Sequence, residues 1–223
     1  MGTTIELTAA DGHQFSAYRA TPSGKARGAV IVVQEVFGVN AHIRRVTDDY
    51  AADGYVAIAP AMYDRVERGY ESGYTQPEIA AGVAIMQKLD WSNTLQDIAA
   101  AVAEAGKIGK TAIVGFCWGG TVAWRAASAT PGLAASVAYY PGGIANFADQ
   151  ELRCPVMCHF GEMDKSPTPE AARAVVAKHP SVEAFFYPAG HGFNCDQRPS
   201  FDVTASSLAR TRTLDFLARH LGS

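Results

Sequence analysis

Short, continuous runs of apolar residues recur along the chain, separated by stretches with a helical pattern. The first three runs are residues 29–33 (AVIVV), 55–59 (YVAIA) and 111–114 (TAIV). A strand without alternating polar residues is typical of a parallel sheet, because crossover helices cover both of its faces. Helical patterns at about 41–53 and 77–106 lie between these runs. The alternation predicts a mainly parallel sheet flanked by helices on both faces.

The rest of the chain fits the same architecture. A hairpin between about residues 6 and 18 precedes the first buried run, and an amphipathic helix carrying Leu208, Leu214, Leu217 and Leu221 closes the chain. Between them we predict a polar loop at 62–75, a helical break near 91–93, further strands at 135–139, 156–160 and 184–187, and helices to about 129 and over 169–178. A sheet of this kind accommodates 223 residues in one unit, so we expect a single domain over residues 1–223.

Charge and cysteine content argue against several classes of partner. The formal net charge is −3, and no stretch concentrates Lys or Arg, so nucleic acid is not an expected partner. No window approaches the roughly 18 continuous apolar residues of a membrane span, and the N-terminus lacks a basic and apolar leader. The four cysteines have no C-x-x-C spacing. We expect a cytoplasmic protein with free thiols and no membrane partner; the sequence leaves the oligomeric state open.

A glycine-flanked cysteine directly follows the third buried run. Residues 115–119 (GFCWG) match the G-x-S-x-G nucleophile elbow of the α/β-hydrolase fold, with Cys117 in the serine position. The motif requires a strand before it and a helix after it, and both are predicted here. The following helix N-terminus stabilises a thiolate. The alternative is a buried cysteine in a turn that glycine merely allows to pack tightly.

The elbow fold orders its triad as nucleophile, acid and histidine along the chain. Asp164 follows the predicted strand at 156–160 and is our candidate acid, with Glu162 as the competing choice. Asp164 could instead simply cap the next helix. His191 lies between two glycines after the last predicted strand and is the candidate base. His159 is interpreted as a core residue, and the remaining histidines are interpreted as surface residues: His13, His42, His179 and His220.

The segment after the first buried run carries a carboxylate and a backbone donor. In the elbow fold this loop and the residue after the nucleophile supply the oxyanion-hole N–H groups, which here are those of Val36 and Trp118. Glu35 directly follows apolar sequence and must be paired or functional. An ion pair with an arginine such as Arg44 and a catalytic role remain equal alternatives.

Four segments together resemble the dienelactone hydrolase (carboxymethylenebutenolidase) family, over essentially the whole chain. They are residues 34–40 (QEVFGVN), 115–120 (GFCWGG), 161–164 (GEMD) and 190–193 (GHGF). The resemblance implies a cysteine hydrolase of lactones or esters. It also implies that Glu35 contacts the nucleophilic thiol and helps to generate the thiolate, as a fourth active-site residue.

The chain departs from the family at the site that binds the substrate carboxylate. Members that act on dienelactone have an arginine four residues after the catalytic histidine, where this chain has Cys195. Arg65, Arg68 and Arg198 are the candidate replacements, and Tyr70 is a candidate pocket residue. The change to Cys195 leaves the chemistry of the family in place and makes its nominal substrate less secure.

These residues predict ester or lactone hydrolysis through a Cys117–His191–Asp164 triad and an acyl-thioester intermediate. The chemistry requires no metal and no cofactor, and its partner is a small-molecule ester or lactone. Two other functions stay open: a broad carboxylesterase or thioesterase for substrates without a carboxylate, and a non-catalytic protein that binds a small ligand on the same fold. A thiol-redox role is weak because C-x-x-C is absent.

Overall fold

Eight strands form one sheet in a computed structural model that describes residues 2–222. In chain order they are β1 (Thr3–Thr8), β2 (Gln14–Ala20), β3 (Ala29–Val33), β4 (Val56–Pro60), β5 (Thr111–Phe116), β6 (Leu133–Tyr139), β7 (Val156–Gly161) and β8 (Glu183–Tyr187). Their spatial order is β1-β2-β4-β3-β5-β6-β7-β8. The pairs β1–β2 and β2–β4 are antiparallel, and every other neighbouring pair is parallel. The predicted mainly parallel sheet is confirmed.

Six α-helices surround the sheet: α1 (Ala41–Ala52), α2 (Gln76–Met86), α3 (Trp91–Gly106), α4 (Trp118–Ala129), α5 (Pro169–Lys178) and α6 (Val203–Leu221). Successive residues of β3 point to opposite faces and join different apolar clusters. Val30 and Val32 pack in a cluster with residues of α1 and α6. Ile31 and Val33 pack in another with residues of α3 and α4. Helices therefore cover both faces, which explains why β3 is apolar at every position.

The predicted break in the second helical segment lies slightly earlier than expected. Helix α2 ends at Met86, and α3 begins at Trp91 itself. The Asp90 side chain accepts hydrogen bonds from the backbone N–H groups of Ser92 and Asn93, so it fixes the start of α3. The polar loop predicted at 62–75 contains a short 3-10 helix, Met62–Arg65.

The apolar face of α6 differs from the predicted leucine stripe. Leu217 and Leu221 are buried and Leu214 is half-buried, but Leu208 is 42% exposed. The buried face is instead formed by Ala205, Ala209, Thr213, Phe216, Leu217 and Leu221. Within residues 2–222, no helix combines the length and the apolar content needed to cross a membrane.

A buried hydrogen-bonded group fastens α6 to the sheet. Thr213 Oγ1 lies 2.7 Å from the Tyr139 hydroxyl and 2.9 Å from His159 Nε2. His159 Nδ1 lies 2.8 Å from the Tyr187 hydroxyl. Burial, together with the positive charge of Arg212, lowers the pKa of His159 to about 3, so its ring is neutral. The interpretation of His159 as a satisfied core residue is confirmed.

We expect Thr213→Val to lower the free energy of unfolding by about 2 kcal/mol. Valine matches threonine in shape but leaves the buried Tyr139 hydroxyl and His159 Nε2 without this partner. Urea denaturation measures the change. Thr211→Val, on the exposed side of the same helix, is the matched control and should change the free energy by less than about 0.5 kcal/mol. Equal effects of the two substitutions would contradict the role given to Thr213.

Candidate active site

Three sequence-predicted residues follow parallel strands at the same edge of the sheet. Cys117 comes directly after β5, Asp164 follows β7, and His191 follows β8. The carboxyl ends of parallel strands share one edge, so these strands deliver the three side chains to one place. All three line a single cavity at that edge.

The backbone at Cys117 is in a conformation that L residues rarely adopt. Its φ is 56° and its ψ is −117°. The turn is tight enough that a Cβ on Gly115 would lie 1.9 Å from the Gly119 carbonyl oxygen. A Cβ on Gly119 would lie 2.4 Å from the Gln34 carbonyl oxygen. Only glycine is tolerated at both positions, and the turn places Cys117 at the N-terminus of α4.

His191 and Asp164 form a partly buried acid–base pair. His191 Nδ1 lies 2.8 Å from Asp164 Oδ2, which leaves Nε2 free to face the thiol. The other carboxylate oxygen of Asp164 accepts a hydrogen bond of 2.8 Å from the backbone N–H of Ser166. Asp164 is 5% exposed. Glu162, the competing acid, is exposed and bonds to Arg173 at 3.0 Å instead.

Opposing effects act on the protonation of His191. Burial disfavours the charged ring, but the charge of the Cys117 sulfur and hydrogen bonds to Asp164 and Cys117 outweigh it. Together they raise the pKa of His191 to about 10. The site therefore favours the imidazolium form of His191 at neutral pH.

The two expected oxyanion donors, Val36 and Trp118, line the same cavity as Cys117. Trp118 opens α4, where a backbone N–H has no partner within the helix. Within residues 2–222, neither N–H donates a hydrogen bond. Both groups are thus available to a substrate oxygen, and their role as an oxyanion hole stays a prediction.

Glu35 is buried and paired with an arginine, though not with Arg44. It is 1% exposed, and Arg198 donates a hydrogen bond of 3.0 Å to its Oε1 atom. Arg44 pairs with Glu71 at the surface. Burial raises the pKa of the Glu35 carboxyl, and the positive charges of Arg198 and His191 oppose that rise. Glu35 therefore lies within electrostatic reach of His191.

A histidine and a cysteine complete the surroundings of Glu35. His42 is 2% exposed and Cys195 is fully buried, so the interpretation of His42 as a surface residue is wrong. Burial and the neighbouring Arg45 lower the pKa of His42 to about 4. One ligand atom each from Glu35, His42 and Cys195 lies within 4.8 Å of the others, which makes them candidate metal ligands. Arg198 already supplies a positive charge to this group.

The cavity in front of Cys117 has a volume of about 730 Å³ and mostly apolar walls. Besides the residues already named, its walls include Val83, Met86, Leu89, Trp91, Phe147 and Met163. Sequence reasoning missed most of these residues because α2, α3, the segment between them and the 3-10 helix Ile144–Phe147 carry them rather than the strand ends. Met163 does follow a strand, but an apolar residue in a turn gave no signal of its own. The one signal in the sequence was the position of Trp91 at a predicted break between two helices.

The substrate-binding candidates named from the sequence lie outside the residues that line this cavity. Arg65 bonds to Asp97 and Asp11 at distances from 2.7 to 3.3 Å. Arg68 is more than half exposed and bonds to Glu6 at 3.2 Å. Tyr70 packs against Tyr63, with ring centroids 5.8 Å apart. Their contact with substrate, like that of Arg198, stays a prediction.

A cysteine held at a strained turn between a parallel strand and a helix defines the class of this protein as an α/β-hydrolase. The model of the dienelactone hydrolase family matches residues 15–221. The chain belongs to the dienelactone hydrolase family, and it is accordingly an enzyme of the ester- and lactone-hydrolysing class. The resemblance drawn from the four sequence segments is confirmed.

Named relatives agree with this assignment. A Synechocystis protein provisionally named as a carboxymethylenebutenolidase is 36% identical over 217 residues, which cover 88% of each chain. Carboxymethylenebutenolidase 1 of Cupriavidus pinatubonensis is 29% identical over 226 residues, covering 96% of this chain and 95% of its own. A crystal structure of a provisionally named dienelactone hydrolase from Klebsiella pneumoniae has a TM-score of 0.80 at 31% identity, covering 97% of this chain and 99% of that one.

We expect Arg198→Met to lower the free energy of unfolding by about 3 kcal/mol, because it leaves the buried Glu35 carboxylate without its pairing charge. Adding Glu35→Gln should restore part of that loss, since the unpaired charge is then removed. Thermal or urea unfolding of the single and double variants measures both effects. Arg44→Met breaks a surface pair and is the control, with a change below about 1 kcal/mol. A double variant no more stable than Arg198→Met would contradict this account.

Proposed function

We propose that this enzyme hydrolyses a carboxylic ester or lactone by two-step acyl transfer, with Cys117 as the nucleophile. The observation that carries the proposal is the His191–Asp164 pair of 2.8 Å in the same cavity as Cys117. Nucleophile, base and orienting carboxylate are the minimum set for this chemistry. The names of the relatives, which describe carboxymethylenebutenolidases, support the same reaction class.

The first half-reaction forms a thioester. The Cys117 thiolate attacks the carbonyl carbon, and the backbone N–H groups of Val36 and Trp118 bind the resulting oxyanion. When this tetrahedral intermediate collapses, the bond to the alcohol oxygen breaks and His191 donates its proton to that oxygen. The acyl group then remains on the sulfur of Cys117. For a lactone, the released alcohol stays attached to the acyl chain.

The second half-reaction restores the enzyme. Neutral His191 takes a proton from water as the water oxygen attacks the thioester carbonyl. Collapse of this second intermediate expels the Cys117 thiolate and releases the carboxylic acid. Asp164 stabilises the imidazolium and fixes the ring orientation in both halves. No proton or electron has to come from outside the site.

Glu35 is proposed as the fourth residue of the site. The family resemblance implies that this carboxylate helps to generate the thiolate. Its burial and the effect of the His191 charge on its pKa support a role in setting the charge of the site. Arg198 pairs with the carboxylate, so Glu35 acts as one half of a charge pair.

One equivalent of iodoacetamide should label Cys117 first and abolish hydrolysis of an aryl ester. Cys117 is partly exposed in the cavity, whereas Cys158 and Cys195 are buried and burial raises the pKa of Cys154 to about 11. Peptide mass spectrometry and residual activity measure the two effects. Acid quenching during turnover should also trap the acyl group on the Cys117 peptide.

Cys154→Ala provides the matched control, since Cys154 is the other partly exposed thiol. Its activity and its sensitivity to iodoacetamide should match those of the wild type. Cys117→Ala should lose at least about 10³-fold in kcat/KM. Full activity after complete modification of Cys117 would exclude it as the nucleophile.

The rate with an alkyl ester should fall as pH rises through about 10. Below that pH His191 keeps the proton that an alkoxide leaving group needs, and above it the ring is neutral, because its pKa is raised to about 10. A phenolate leaves without that proton, so an aryl ester serves as the control. Measuring kcat/KM for both from pH 6 to about 11, with the uncatalysed rate subtracted, tests the assignment. Parallel profiles would count against His191 as the general acid.

A further inference from the structure

The cavity is larger and less polar than recognition of a small anionic lactone requires. About 730 Å³ lies within the range that accommodates drug-sized ligands. Its apolar lining comes from α2, the segment joining α2 to α3, and Trp118 beside the nucleophile. An ester whose reacting carbonyl lies at Cys117 therefore has room for a bulky substituent against these walls.

One wall of the cavity is a continuous set of aromatic rings. Trp91 lies between Trp118, at 6.4 Å between ring centroids, and Phe147, at 5.1 Å with an edge-to-face geometry. The Arg125 guanidinium lies 4.7 Å from the Trp91 ring and 4.3 Å from the Phe147 ring. Arg125 does not line the cavity, so it stabilises the wall by cation–π contacts without presenting its charge to a ligand there. We call Trp91, Trp118 and Phe147 the aromatic wall.

Every arginine that could replace the missing family arginine is already engaged. Arg65 holds the buried carboxylate of Asp97, and Arg198 holds that of Glu35. Turning either guanidinium toward a substrate would leave a buried carboxylate unpaired, which is costly. Arg68 is anchored to Glu6 outside the cavity.

Apart from His191, which is paired with Asp164, the cationic side chain that lines the cavity is Lys165, and it is exposed at the mouth. Its neighbour Met163, also at the mouth, is 66% exposed. A carboxylate deep in the cavity, against the aromatic wall, would therefore lose its hydration without gaining a charged partner. The lining therefore offers no unpaired buried cation to the type of anion that the family's nominal substrate carries.

We propose that this enzyme acts on uncharged esters with a bulky apolar group, aromatic in the best case, which binds against the aromatic wall. The inference rests on the proposed ester hydrolysis and narrows its substrate class. The bulky group belongs either to the acyl side or to the alcohol side of the ester. In both cases the aromatic wall binds an apolar group. A substrate series with two arms, one varying the acyl group and one varying the alcohol, distinguishes the two cases.

The acyl arm uses 4-nitrophenyl acetate, butyrate, hexanoate and phenylacetate. The alcohol arm uses acetate esters of ethanol, benzyl alcohol and 2-naphthylmethanol. In the arm that matches the cavity, kcat/KM should rise by up to about fourfold per buried methylene group. In the other arm, kcat/KM should change little from one ester to the next.

A charged analogue tests the missing arginine. Mono-4-nitrophenyl adipate resembles the hexanoate ester in length but ends in a carboxylate, and dienelactone carries its own carboxylate. Both should have a kcat/KM at least about 100-fold below that of the best uncharged ester, since the buried carboxylate has no partner. Preference for either anion over the uncharged esters would overturn the proposal.

Variants of the aromatic wall connect the preference to these residues. Phe147→Ala should lower the ratio of kcat/KM for the best bulky ester to that for 4-nitrophenyl acetate by roughly tenfold, because it removes apolar contact area. Phe201→Ala, a partly exposed phenylalanine outside the cavity, is the control and should leave the ratio unchanged. Urea denaturation checks that both variants are folded.

The outcome separates this proposal from the proposed function. Equal kcat/KM across both arms, with all activity lost in Cys117→Ala, would overturn the substrate class and keep the hydrolase. An unchanged ratio in folded Phe147→Ala would likewise overturn the role of the aromatic wall. Ester hydrolysis that survives in Cys117→Ala would instead overturn the proposed nucleophile.

Discussion

The strained backbone at Cys117 is the constraint on which the site depends. A residue with φ of 56° and ψ of −117° persists only where its surroundings hold it there. Here β5 pairs on both edges in the middle of the sheet, and α4 packs against it. Gly115 and Gly119 also approach neighbouring backbone so closely that the turn can adopt few other backbone conformations. Buried packing thus supplies the free energy that keeps the thiol at the helix N-terminus.

Buried charges around the site form two neighbouring groups, and the charge of His191 in the first also acts on Glu35 in the second. Asp164 and the Cys117 sulfur stabilise the charged form of His191. Arg198 neutralises Glu35 in the second group, where neutral His42 and the buried thiol of Cys195 add no further charge. Because each buried charge has a partner, several titratable side chains can be buried together at the carboxyl ends of the parallel strands. Arg198 therefore contributes to the site without lining its cavity.

The sequence was sufficient to predict those parts of the structure that depend on residues close to one another along the chain. Buried strands, the elbow glycines and the triad order have fixed patterns, so the sheet and the positions of Cys117, Asp164 and His191 at its edge could be predicted. The partner of Glu35 could not, because Arg198 is far away in sequence and competes with Arg44. His42 was misjudged since its burial depends on packing against the segment around Asp196. The aromatic wall is equally non-local, with one residue from each of three separate segments.

The position of the aromatic wall outside the sheet has a consequence for the evolution of such enzymes. Cys117 and Asp164 follow strands that pair with a neighbour on both sides, and His191 follows the edge strand β8, so the sheet itself holds these three residues in position. Trp91 and Phe147 instead lie at the start of a helix and in a 3-10 turn outside the sheet. Substitutions at these two positions change the shape of the cavity beside Cys117 without disturbing the turn that holds Cys117. The fold therefore allows related enzymes to acquire new substrates while they keep the same hydrolytic machinery.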